Sequence, residues 1–443
     1  MLRKPNVILL LTDDQGYGDL GCHGNPVLRT PHLDRLYGHS VRLTDYHVEA
    51  MCAPTRAALM TGRYPARTGV WSTLWGRYIM RRDESTLGDI FSAAGYRTGL
   101  FGKWHLGDNY PYRPQDRGFA EVLSFGGGVI GEIPDYWNND NFTATYLHNG
   151  RPQRHARYCT DIWFSEAMKF IEAAPEAPFF CYISTNAPHS PFDIDEKYSL
   201  PYLRQGIPQE RARFYGMIAN IDENVGRLRA GLEARDLDRD TILIFMGDNG
   251  TAAGTGLAKD GFPTDGFNAG MRGKKTWVYD GGHRNACFFH WPQGDIVGGR
   301  DVDRLTAHID ILPTLVDLCG LEPGAAAVDG ASLAPLLRRA AIEWPDRAVI
   351  VHQQQVDKPV KYKDFTVMTD RWRLVRTGRW RPPRTSFSAS PTTPANTSIS
   401  LSTIPRWSKT WCNAMSGGGT IYRGGSANTA KLPLVQRPRP RLY

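Results

Sequence analysis

Residues 6–16 read NVILLLTDDQG, and residues 240–250 read DTILIFMGDNG. Each begins with a short run of branched and aromatic apolar residues, Val7–Leu11 and Ile242–Met246. Each then ends on hard polar side chains, Asp13-Asp14 and Asp248-Asn249. A short strand that is apolar on both faces belongs inside a parallel sheet covered by helices. Two more segments fit this reading. YRTGLFGKWHLG (96–107) is a weaker strand followed by Lys103 and His105, and PFFCYISTNAPHSPF (178–192) is a strand followed by His189. Helical patterns lie between them: TLGDIFSAAG (86–95), TDIWFSEAMKFIEAA (160–174) and RFYGMIANIDENVGRLRAGLEAR (213–235). The alternation predicts an α/β fold, a large, mostly parallel sheet flanked by helices. In such sheets the residues just past the carboxyl ends of the strands share one rim, where sites form.

The composition narrows the function classes. The net charge of +8 over 443 residues suggests an acidic partner until it is mapped. Residues 376–443 hold 11 Lys and Arg and no Asp or Glu, leaving 42 basic against 45 acidic residues in the body. The body is mildly acidic, so no nucleic-acid partner is expected. The apolar run Val7–Leu11 is too short to span a membrane, and no membrane association is expected. No ordered secretion signal is visible as the sequence is written. This predicts a cytoplasmic protein, or a periplasmic or secreted one if the true start codon lies upstream. Seven scattered cysteines without C-x-x-C pairs are neither a disulfide framework nor a zinc ribbon.

The segment MCAPTRAALMTGRYP (51–65) places Cys52 at the start of a predicted helix, since Pro54 suits a first turn. Helix N-termini favour anions, and Arg56 follows one turn later on the same face. A buried cysteine beside a surface arginine is the plainer alternative. Asp13, Asp14, Asp248 and Asn249 offer oxygen ligands from two strand ends, which suits Ca²⁺ or Mg²⁺. Any one such pair is more often a turn or a helix cap. Lys103, Lys275, His105 and His189 add cationic donors. Together these groups describe a pocket for a dianionic tetrahedral group. Taken singly, His105 could pack in the core on Trp104, His189 could be a loop residue, and Lys274-Lys275 could be a solvated pair.

CAPTRAALMTGR (52–63) resembles the sulfatase signature, C-x-P-[ST]-R followed by T-G-R. GKWHLG, TDDQG, APHSPF, GDNG and RGKKTWVYDGGHR also match that family, in its order, and the resemblance covers roughly residues 5–375. It implies an alkaline-phosphatase-like fold and sulfuric ester hydrolysis of the arylsulfatase type. It implies that Cys52 is oxidised to formylglycine by a separate formylglycine-generating enzyme and supplies the nucleophile. Asp13, Asp14, Asp248 and Asn249, with modified Cys52, would then hold calcium, with magnesium as the alternative. Arg56 would steady the hydrated aldehyde, and Lys103 and Lys275 would hold sulfate oxygens. His189 would serve the leaving oxygen, and His105 would help release sulfate. Lys275 is preferred over Lys274 because the family lysine stands five before the acidic residue of D-G-G, here Asp280. The segments GGGVIGEIPDYWNNDNF (126–142) and GGHR (281–284) are expected at the pocket mouth, which favours a sulfated carbohydrate, with aryl sulfates as surrogates. The alternatives are a phosphonate or phosphate ester hydrolase of the same superfamily, and a non-catalytic relic that folds poorly.

Three regions are expected: a catalytic domain over 1–345, the start of a small antiparallel subdomain over 346–375, and an aberrant, disordered tail over 376–443. YKDFTVMTDRWRLV (362–375) reads as a hairpin around Asp370-Arg371. The tail is polar and lacks the family's usual ending. Shifted to the frame that joins the last base of each codon to the first two of the next, allowed codons give segments like that ending. Trp411-Cys412 then gives Val under every codon choice. The expectation is a frameshift between Arg376 and Ser386.

Overall fold

A computed structural model describes residues 4–174, 176–340 and 344–378, and the backbone of 420–423 and 431–432. A ten-stranded sheet runs in the order Arg300–Val302, Val41–Leu43, Cys287–His290, Thr241–Gly247, Asn6–Thr12, Phe179–Ser184, Arg97–Gly102, Glu121–Ser124, Thr143–His148, Arg151–Ala156. The five strands from Thr241–Gly247 to Glu121–Ser124 are mutually parallel. The antiparallel strand Cys287–His290 and an antiparallel hairpin flank them on the two sides. All four strands anticipated from apolar runs lie in the parallel centre.

Alternate side chains of these strands feed two cores. Val7, Leu9 and Leu11 join Ile242, Ile244 and Met246 on one face, with the helices Cys52–Thr61, Leu87–Ala93 and Ile311–Cys319. Ile8 and Leu10 join Leu243 and Phe245 on the other, with Pro31–His39, Cys159–Glu172 and Gln209–Glu233. Both faces are therefore dry, as period-two packing of an unbroken apolar run requires. Local signals set the helix ends. Thr86 and Asp89 form a capping box before Leu87–Ala93, and Gly62, at φ +67°, closes Cys52–Thr61 in the left-handed region.

The expected hairpin is present as Phe365–Met368 and Trp372–Arg376, and Val349–His352 adds a third antiparallel strand. Thr420–Arg423 and Lys431–Leu432 extend this small sheet. The rest of the tail after Gly378, with the disorder expected of it, lies outside the described residues. Among the described residues no helix is long and apolar enough to cross a membrane.

Candidate active site

The rim at the carboxyl ends of the parallel strands gathers the expected residues. Asp13 and Asp14 follow Asn6–Thr12, Lys103 and His105 follow Arg97–Gly102, and Asp248 and Asn249 follow Thr241–Gly247. The helix Cys52–Thr61 starts at this rim with Cys52 and has no side-chain cap at its amino end. All ten of its residues are buried.

Arg56 is fully buried and ties three strand ends together. Its Nε and Nη2 donate to Asp248 Oδ2 at 3.2 and 2.9 Å, and its Nη1 donates to Ser184 Oγ at 2.6 Å and to the Lys103 carbonyl at 3.1 Å. Lys103 Nζ donates to Asp13 Oδ2 at 2.6 Å. Lys275 Nζ donates to Asp14 Oδ2 at 2.7 Å, whereas Lys274 turns to the carbonyls of Ala252 and Thr255. His189 Nε2 lies 3.6 Å from Asp14 Oδ2. Its Nδ1, 2.7 Å from the Ser190 carbonyl, must carry the proton there, because a carbonyl only accepts. His105 Nδ1 lies 3.4 Å from Cys52 Sγ. Asp14 and His105 hold φ of +69° and +58°, a conformation that non-glycine residues adopt rarely and that clusters at functional sites.

Sequence reasoning missed Ser184. Its signal was present, since it closes the strand Phe179–Ser184 and so stands on the rim. It also misplaced GGHR. His283 is fully buried, with Nδ1 2.9 Å from His47 Nδ1, and Arg284 reaches back to the Thr44 carbonyl. The segment therefore faces the interior, where the Gly282 carbonyl accepts from the Gly250 amide at 2.8 Å, next in the chain to Asn249. The GGG segment does lie at the site: a Cβ on Gly128 would fall 2.5 Å from His105 Cε1.

The charges are strongly perturbed. Burial raises the Asp13 carboxyl, but Lys103, His189, Arg56 and Lys275 outweigh it and hold the group well below the usual carboxylate range. Burial and the neighbouring Asp13 push Asp248 up to about 7. Burial, then Lys103 and Arg56, drive His105 well below its ordinary value, so its imidazole is neutral. Burial also raises the Cys52 thiol. Two oxygens are left over: Asp13 Oδ1 and Asn249 Oδ1 are buried without a hydrogen-bond partner. Asp13, Cys52 and Asp248 offer atoms all within 4.8 Å of one another, as do Asp13, Asp14 and His189. Orphaned acceptors beside several carboxylates fit a hard divalent cation, which would also stabilise Asp248 as the anion.

Comparison with known proteins follows the same line. The sulfatase family model matches residues 5–321. The chain is 30% identical to N-acetylgalactosamine-6-sulfatase of Rattus norvegicus over 388 residues, covering 81% of this chain and 68% of the relative. It is 31% identical to arylsulfatase A of Homo sapiens over 363 residues, covering 76% of this chain and 68% of the relative. Its structure is similar to that of Ps i-CgsB in complex with k-i-k-neocarrahexaose, with a TM-score of 0.74 and 26% identity over 85% of this chain and 84% of the other.

Proposed function

The chain belongs to the sulfatase family of sulfuric ester hydrolases, and from that premise we propose that it hydrolyses a sulfate monoester on a carbohydrate. In this reading Cys52 is oxidised to formylglycine, and Asp13, Asp14, Asp248 and Asn249 hold calcium. The carrying observation is the pair of orphaned oxygens on Asp13 and Asn249, in the rim cluster that also contains Cys52. A thiol is a poor partner for a hard cation, whereas the hydrate of an aldehyde presents oxygen. When formed, formylglycine supplies a hydroxyl nucleophile for sulfur. When bound, calcium supplies positive charge to the sulfate oxygens.

The remaining work falls to this chain's own side chains. Lys103 and Lys275, drawn in by Asp13 and Asp14, point their ammonium groups into the site and meet the sulfate oxygens. Arg56 fixes Asp248 and steadies the hydroxyl at position 52. His189 keeps Nδ1–H on the Ser190 carbonyl and turns Nε2 to the site, where the protonated ring gives its proton to the leaving sugar oxygen. His105, neutral and 3.4 Å from the position-52 heteroatom, accepts a proton from a hydroxyl there when sulfate departs. The sugar as substrate is supported by the similar structure of Ps i-CgsB, which is a complex with a saccharide, k-i-k-neocarrahexaose.

The test has two parts. The tryptic peptide carrying Cys52 should be lighter than its cysteine form by the change from CH₂SH to CHO. Aryl sulfate should be hydrolysed faster than aryl phosphonate, and Cys52→Ala should lower sulfatase activity by at least about a thousandfold with the fold intact. An unmodified cysteine in active protein overturns the nucleophile. A faster phosphonate rate overturns the substrate class.

A further inference from the structure

The largest exposed apolar side chains gather beside the site. Of the twelve large exposed hydrophobic residues among those described, seven lie on three loops, residues 74–79, residue 110 and residues 133–137. Trp75 is 62% exposed, Tyr110 72%, Ile133 94% and Trp137 89%. A concentrated apolar surface of this kind marks a binding face rather than ordinary surface scatter.

The three loops converge on His105. The Tyr78 ring lies 5.1 Å from the His105 ring, and its hydroxyl donates to Asp108 Oδ2 at 3.3 Å. The other oxygen of Asp108 accepts from the Gly127 amide at 2.8 Å. Gly128 is packed on the His105 ring so closely that no Cβ fits. Tyr110 follows on the same loop as His105 and Asp108. One carboxylate thus joins the loop that carries Trp75 to the loop that carries Trp137, and both stand against the imidazole that touches Cys52.

The loops are also held in shape. Trp75 sits at φ +54°, an unusual conformation for a bulky residue. Its loop is fastened to the segment that leads out of the small sheet. Trp71 Nε1 donates to the Val356 carbonyl at 3.0 Å, Gln355 Nε2 donates to Thr73 Oγ1 at 2.7 Å, and Arg77 pairs with Asp357 at 2.7 Å. On the other loop, Asp135 accepts from the Gly126 and Gly131 amides, at 3.3 and 2.9 Å. Rigid aromatic side chains held in the open lose little entropy when a flat apolar ligand face covers them.

Resting on the reading of a sulfated carbohydrate, we propose that Trp75, Tyr110 and Trp137 form a platform for the sugar rings next to the sulfated unit. The preferred substrate is then an oligosaccharide or polysaccharide, not a sulfated monosaccharide. The C–H faces of pyranose rings supply the flat apolar surface that such a platform covers, and a single sugar at the rim leaves the exposed loop residues unused. The nearby cluster of bound charge serves the sulfate alone, so chain length is read by the loops.

The experiment uses the matured full chain with 4-nitrophenyl sulfate and with sized di- and hexasaccharide pools from sulfated galactans and from glycosaminoglycans, following sulfate release. At least one hexasaccharide pool should show a KM about tenfold below its disaccharide. Trp137→Ala and Trp75→Ala should erase most of that gain while kcat and the 4-nitrophenyl sulfate rate stay unchanged. Equal KM for both sizes in every pool, or a length gain that survives both substitutions, overturns the platform. Turnover of 4-nitrophenyl sulfate with no turnover of any saccharide pool overturns the carbohydrate reading itself, and loss of all turnover overturns the sulfatase mechanism.

Discussion

The cluster around Asp13 and a second cluster around Asp45 are both buried, both charged and both assembled from distant parts of the chain, yet they leave different atoms unpaired. In the first, the orphans include carboxylate and amide oxygens, Asp13 Oδ1 and Asn249 Oδ1. In the second, Arg373 Nη2 donates to both Asp45 oxygens, at 2.7 and 3.0 Å, and lies 3.3 Å from His47 Nε2. His47 meets Asp45 at 2.9 Å and His283 at 2.9 Å, and the orphans there are nitrogens, His283 Nε2 and Arg373 Nε. His47, Asp280 and His283 have the spacing of a metal triad. The buried guanidinium, with Nε 3.7 Å from Asp280, already supplies that cluster's cation. Burial raises Asp45, but Arg373 and His47 outweigh it and hold the carboxyl well below its ordinary value. Counting ligand-type residues therefore does not separate a metal site from a structural ion network. What differs here is that the first cluster leaves hard oxygens unpaired, whereas the second leaves a guanidinium N–H, which holds no cation.

The largest expected effect comes from removing one charge from the first cluster. Asp13→Asn keeps the shape and deletes a carboxylate that pairs with Lys103 at 2.6 Å and lies 3.9 Å from Arg56. Sulfatase activity should fall by about a thousandfold or more, equivalent to ~4 kcal/mol of transition-state stabilisation. Calcium should raise the Tm of wild-type protein and should no longer do so in the variant, while a chelator should remove wild-type activity and calcium restore it. Calcium-independent Tm in the active wild-type enzyme would place the orphaned oxygens outside any metal site.

The second cluster should answer to stability instead. Arg373→Met leaves Asp45 and Asp280 buried without their cation, which costs about 3–5 kcal/mol. Denaturant unfolding should show that loss equally with and without calcium. A loss that calcium repairs would make the second cluster a metal site and erase the contrast drawn from its nitrogens.

The contrast also explains what could be read ahead of the structure. The parallel strands announce themselves because both faces are apolar and each run stops at its functional rim residue. Asp13, His105, His189 and Asp248 could thus be placed from chain order alone. The lysine at 275 needed the family spacing to D-G-G, and the geometry puts its ammonium on Asp14. The edge strand Arg151–Ala156 was invisible, since RPQRHA faces solvent almost throughout and carries no apolar alternation. The second cluster was hidden for another reason. Arg373 and Asp45 lie 328 positions apart, and nothing local to either marks a partner. GGHR was misread because a histidine beside glycines looks like a binding loop until packing buries it.

The smallest effect concerns a carboxyl beside the second cluster, and its sign follows from burial. Glu49 is fully buried, its Oε2 accepts from the His352 amide at 2.9 Å, and its Oε1 has no hydrogen-bond partner, 3.8 Å from His308 Nε2. His308 Nδ1 faces the His47 carbonyl at 3.2 Å, so Nδ1 carries the proton and Nε2 is free to accept. Burial raises Glu49 from an ordinary 4.5 to about 8, so the folded protein keeps a neutral acid there at neutral pH. Below about 4.5 both folded and unfolded chains hold that proton, and the contribution to stability is full. As pH rises towards 8 the unfolded chain releases its proton first, and stability falls by up to ~1.4 kcal/mol per unit. Glu49→Gln cannot release a proton, so its unfolding free energy should gain on that of the wild type steadily from pH 5 to pH 8, by up to ~3 kcal/mol across that span. Groups other than Glu49 titrate alike in both proteins and cancel in the difference. A difference that stays flat with pH would mean that Glu49 is ionised in the fold, and that the second cluster extends to it through His308.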